Sequence, residues 1–105
     1  MATLFLTSLH CERKQDVVGK DEPRIVVNDD VAWGPDAMEK NQTKNLIPAS
    51  VPFDDEAEVK LQEMNGSTPK QIGATHTIRA DRPSAQPAVF KTSGAHYELY
   101  YRVVN

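Results

Sequence analysis

The stretch Tyr97-Glu98-Leu99-Tyr100-Tyr101-Arg102-Val103-Val104 alternates two sets of side chains. Tyr97, Leu99, Tyr101 and Val103 fall on one side, and Glu98, Tyr100, Arg102 and Val104 on the other. Successive side chains of an extended chain point to opposite faces, so this aromatic and β-branched pattern is that of a half-buried strand. Residues 57–62 repeat it, with Ala57, Val59 and Leu61 inward and Glu58, Lys60 and Gln62 outward. Residues 72–80 repeat it again, setting Ile72, Ala74, His76, Ile78 and Ala80 against Thr75, Thr77 and Arg79.

Shorter candidates lie between these three. Residues 3–10 read as a first strand, apolar enough to be covered on both sides. Residues 24–28 form a β-branched run after Pro23, where a proline removes no ladder bond. Residues 31–33 would pair back across a turn at Asn28, Asp29 and Asp30. Residues 45–47 and 88–91 are weaker. Gly19, Gly34-Pro35, Pro48, Pro52, Asn65-Gly66, Pro69, Pro83, Pro87 and Gly94 punctuate the series as turn residues. Residues 34–42 hold the one plausible helical turn, read here as a loop. The pattern predicts an all-β fold: an antiparallel, two-sheet β-sandwich of about seven or eight short strands, of Greek-key type.

The chain has 105 residues, enough for one domain spanning 1–105. With 39% hydrophobic and 26% charged residues it has ordinary globular composition, not that of a disordered chain. The net charge of −3 is made of mixed acids and bases. No basic stretch would track a phosphate backbone or anchor to an anionic membrane, which argues against nucleic acid as a partner. No window has the length of a membrane-spanning helix. The single cysteine, Cys11, permits no intrachain disulfide. Residues 2–9 lack the basic flank and cleavage site of a signal peptide, so the expected location is cytoplasmic, or outside by a leaderless route.

Two stretches carry a family resemblance. Leu6-Thr7-Ser8-Leu9-His10-Cys11, followed by Asp16, Gly19, Asp21-Glu22-Pro23 and the run 24–28, resembles the opening of small bacterial C2-type β-sandwich modules. Val59-Lys60-Leu61-Gln62-Glu63, the polar loop to Ile72-Gly73, and the closing His96-Tyr97-Glu98-Leu99-Tyr100-Tyr101-Arg102-Val103 are similar to how such modules enter and leave their second ligand loop. The resemblance implies a sandwich that holds calcium with acidic side chains on loops at one end, here Asp16, Asp21 and Glu22. The second loop departs from the pattern: Glu63-Met64-Asn65-Gly66-Ser67-Thr68-Pro69-Lys70 lacks the closely spaced aspartates. Calcium takes about six to eight oxygen ligands, so the resemblance implies a weak site.

Other candidates are weighed against ordinary roles. Asp54-Asp55-Glu56 reads as a turn entering a strand. His76, on an inward face, reads as a hydrogen-bonded core histidine rather than a ligand. His10 beside Cys11 is no catalytic pair, because strand neighbours face opposite ways. Among His10, His76, His96 and Cys11 no spacing matches a zinc finger. Asn41-Gln42-Thr43 and Asn65-Gly66-Ser67 match the glycosylation sequon, a short pattern frequent by chance. Trp33 and Tyr100 are candidate contacts for a protein or glycan partner, since exposed aromatics among polar neighbours mark such surfaces. No phosphate loop, nucleophile elbow or framed carboxylate pair appears. The reading is therefore a non-enzymatic binding or interaction module. Its alternatives are an assembly protein pairing through edge strands, and an inhibitor or toxin-like protein presenting a loop at residues 81–87.

Overall fold

The computed structural model describes residues 1–14, 21–65, 67–81 and 86–105. Eight strands follow one another in them: β1 (Ala2–Arg13), β2 (Pro23–Val27), β3 (Asp30–Trp33), β4 (Thr43–Phe53), β5 (Glu56–Asn65), β6 (Thr68–Arg79), β7 (Ala88–Lys91) and β8 (His96–Val104). Their spatial order is β4-β1-β8-β7 in the first sheet and β3-β2-β5-β6 in the second. Every pairing is antiparallel. Residues 34–42 are a loop, and no helix among the described residues is long and apolar enough to cross a membrane.

The alternation accounts for the interior. Tyr97 and Leu99 of β8 and Ala57, Val59 and Leu61 of β5 are buried, and they join Leu4, Leu6, Leu9, Ile25, Val27 and Phe90 in one cluster between the sheets. Burying a side chain of that size contributes roughly 1.5–3 kcal/mol. Met38, from the 34–42 loop, is also fully buried, held by its amide donating to the Asp21 carbonyl at 2.8 Å. The turn at Asn28 and Asp29 forms as its residue types dictate. Both have positive φ, 50° and 70°, the hairpin geometry Asn and Asp tolerate. The Asn28 side chain also accepts the Glu58 amide at 2.9 Å.

Three departures from the sequence reading have physical causes. First, β1 is not covered on both sides: its register shifts against both neighbours between Leu6 and Ser8. Leu4 and Leu6 face inward before the bulge, and Leu9 and Cys11 after it. One extra residue reverses the phase of everything that follows, which sends His10 to the outer face. Second, Pro48, Pro52 and Pro69 lie inside long strands rather than between short ones. They sit on β4 and β6, both at sheet edges, where a missing N–H removes no ladder bond. Third, Ala74 is exposed, not inward. The β5–β6 register shifts between Val59 and Leu61, beside Gly73 with φ of 72°. A Cβ on Gly73 would lie 2.6 Å from the Lys91 amide nitrogen, so β6 approaches β7 as only glycine permits.

His76 then joins the sheets at that edge. Its Nε2 lies 2.6 Å from the Val89 carbonyl oxygen of β7, and its ring meets Phe90 edge-on at 4.8 Å. The expected hydrogen bond is present, but the ring is half-buried at the sheet edge rather than in the core.

Candidate functional site

The acidic residues of the first loop do not share one environment. Asp16 lies outside the described residues. Asp21 is completely buried, and the Tyr97 hydroxyl donates to its Oδ2 at 2.5 Å. Glu22 is exposed, while its amide donates to Oε1 of the buried Glu63 at 3.2 Å. Burial, then the bond to Asp21, pushes the Tyr97 hydroxyl far above the ordinary tyrosine range. Cys11, adjoining the same group, has its thiol pushed up mainly by burial, against the lowering effect of its hydrogen bond with Tyr97. A thiol of that kind is a poor nucleophile. It points inward while His10 points outward, as strand geometry requires.

Trp33 is half-buried and packs against the core from the end of β3. Tyr100 is 40% exposed on the outer face of β8. That face is built in cross-strand rows on β1 and β8: Phe5 opposite Arg102, Ser8 opposite Tyr100, His10 opposite Glu98. The Arg102 guanidinium sits over the Phe5 ring at 5.0 Å from its centroid, an attraction worth about 0.5–1 kcal/mol at an exposed place. The outer face of the second sheet differs in kind. Polar side chains there satisfy one another: Arg24 donates to Gln62 at 2.8 Å, Arg79 pairs with Glu56 at 3.0 Å, and Lys60 approaches Asp29 at 3.8 Å, while Val31 on the edge strand β3 is 50% exposed.

The aromatic rows end in a polar cluster. His10 Nδ1 lies 2.6 Å from the Thr43 hydroxyl oxygen, and His10 Nε2 is 3.8 Å from the Glu12 carboxylate. His10, Glu12 and Glu98 offer ligand atoms all within 4.8 Å of one another. His96 Nε2 is 3.6 Å from the Glu98 carboxylate, shielded from solvent and without a hydrogen-bond partner. Sequence reasoning missed this group, although a signal was present. His10-Cys11-Glu12 and His96-Tyr97-Glu98 each set a histidine and a glutamate at alternate strand positions, which share a face. The signal becomes legible only once the first and last strands are known to pair.

The remaining candidates lie apart. Asp54 and Asp55 are exposed at the crossing from β4 to β5. An open recess of ≈ 360 Å³ lined by Asp55, Glu56, Arg79, Ala80 and Asp81 has its arginine already paired with Glu56 and Asp81. Most of the 81–87 loop, residues 82–85, lies outside the described residues. No protein-family model, curated protein or solved structure matches the chain.

Proposed function

We propose that the chain is a non-catalytic binding module that meets a protein or glycan partner through the outer face of its first sheet. The observation that carries this reading is the contrast between the two outer faces. The second sheet ties much of its outer surface into its own polar pairs and leaves the aliphatic Val31 open on its edge strand, while the first leaves the aromatic Tyr100 exposed on a central strand beside Phe5, Arg102 and Ser8. Aromatic and arginine side chains are the types enriched in binding surfaces. The C2-like resemblance supports a module of this kind. The calcium site it implies is a subsidiary proposal resting on Asp16, because Asp21 is buried against Tyr97 and Glu22 alone is far short of a calcium ligand set. Thermal melts with calcium and with chelator test it, and coincident curves remove it.

Assembly through strand edges has less support. Prolines interrupt β4 and β6, and β3 and β7 span four residues each, the features by which natural sheets discourage edge pairing.

The main proposal is tested with a photo-crosslinking residue placed at Tyr100 or at Glu58 on the opposite outer face, alongside glycan arrays probed with the wild type and Tyr100→Ala. Specific capture from position 100, or an array signal lost in Tyr100→Ala, is the expected result. Equal capture from both positions, with an array response indifferent to Tyr100, refutes the proposal.

A further inference from the structure

We propose that His10, Glu12, His96 and Glu98 form a binding site for one divalent transition-metal ion of the zinc class. The four come from adjacent central strands of the first sheet, β1 and β8, whose register puts His10 opposite Glu98. Sites on paired strands are held more closely than sites on loops. Two register shifts in β1 bracket the pair it contributes, one between Leu6 and Ser8 and one between Cys11 and Arg13. The first turns His10 outward, and the second leaves Glu12 as the extra residue beside it. Bulges of this kind re-aim side chains next to functional sites.

The donor set decides the ion. Calcium and magnesium take oxygen ligands and leave imidazole unused. Thiophilic ions require sulfur, and Cys11 faces the interior. Two imidazoles with two carboxylates suit zinc and its neighbours, and a divalent ion would balance the two carboxylate charges. The orientation of His10 is already fixed by Thr43 at 2.6 Å. Metal-binding histidines use their second nitrogen in this way, which holds the ring and sets the tautomer. When Nδ1 donates to Thr43, the Nε2 lone pair is turned to carboxylates, an arrangement that is repulsive until a cation lies between them. His96 Nε2 supplies a separate indication, a solvent-shielded nitrogen with no hydrogen bond and a carboxylate at 3.6 Å. Around a tetrahedral zinc ion with bonds of about 2.0–2.2 Å, donor atoms lie roughly 3.3–3.6 Å apart. The donors of His10, Glu12 and Glu98, within 4.8 Å of one another, must therefore close by roughly 1.2–1.5 Å at their widest. His96 stands outside that trio with its Nε2 3.6 Å from Glu98 and must swing in as well, movements that side-chain rotation on a solvent-facing surface supplies.

The full chain, stripped with chelator, is titrated with zinc and separately with calcium by calorimetry. Histidine ring resonances are followed by NMR in parallel. The expected result is one equivalent of zinc, with the His10 and His96 signals shifted and the His76 signal unmoved. His10→Ala and His96→Ala should each weaken zinc binding tenfold or more. Thr43→Val, which leaves every ligand in place, should weaken it about tenfold. Glu58→Gln, on the other sheet, should leave it unchanged. The ring signals need no variant, so the result stands even if a substitution unfolds the chain. Zinc that leaves the His10 and His96 signals unmoved overturns the proposal and leaves these residues as histidine–carboxylate contacts only. So does binding that survives both histidine substitutions. Neither outcome bears on partner contact at Tyr100.

Discussion

Tyr97 and Tyr100 belong to the same strand, yet they do different work. Tyr97 faces inward, fully buried, and spends its hydroxyl on the carboxylate of Asp21. Tyr100 faces outward, 40% exposed, on a surface that no other strand covers among the described residues. The whole of β8 divides this way. Its inner side, Tyr97, Leu99 and Tyr101, is buried, while its outer side carries His96, Glu98, Tyr100 and Arg102. The inner side accounts for why the chain folds, and the outer side is open to do something else. If that division is right, substitutions along one strand should alternate between large and negligible effects on stability.

The largest effect should come from Leu99→Ala. Leu99 is fully buried at the centre of the first sheet, between Leu9 of β1 and Ala88 of β7. Removing it should cost about 2–5 kcal/mol through lost burial and the cavity left behind. Urea unfolding measures this, and a loss below 1 kcal/mol would break the division at its strongest point. Tyr97→Phe should follow, at about 1–3 kcal/mol. The ring stays in place, but a buried Asp21 oxygen loses its donor.

The same hydroxyl sets an alkaline limit. Tyr97 and Cys11 both hold their protons more tightly folded than unfolded. A group raised in this way contributes its full stability below its unfolded value and loses it as pH rises beyond. The window therefore opens near pH 9.0 for Cys11 and 10.0 for Tyr97, their ordinary values. Melting temperatures taken from pH 7 to 11 should fall through that window in the wild type and less steeply in Tyr97→Phe. Parallel slopes would remove the buried hydroxyl from the explanation.

Period-two alternation was enough to predict both sheets and the inward residues of β5 and β8, because those strands run through most of their length in unbroken register. It lost the phase of β1 at the bulge at Thr7 and misplaced Ala74 in β6 near Gly73, where a bulge stretches the register without changing composition, while Ile72, His76 and Ile78 kept the sides the pattern gives them. The prolines misled for a different reason. Pro48, Pro52 and Pro69 resemble turn residues until the edge position of β4 and β6 is known. Tyr100 was readable because its exposure follows from local alternation. The histidine–glutamate cluster was not, since it depends on the pairing of the two ends of the chain and on the bulge that turns His10 outward. Burial of Asp21 was equally hidden. A sequence shows an acid two residues before a proline, but its partner Tyr97 is 76 positions away.

The smallest stability effect should belong to Tyr100→Ala, and that smallness is what gives the variant its use. Truncating an exposed side chain with no special contact changes stability by about 0.5 kcal/mol or less. A strand residue does surrender some β propensity when it becomes alanine, a scale that spans about 1 kcal/mol in all. The expected loss is therefore a small fraction of that for Leu99→Ala on the same strand. A larger one would mean that Tyr100 is held by the fold, which would undercut its role as a contact surface. A small one, combined with lost capture of a partner, would separate the two faces of β8 by function as cleanly as burial separates them by structure.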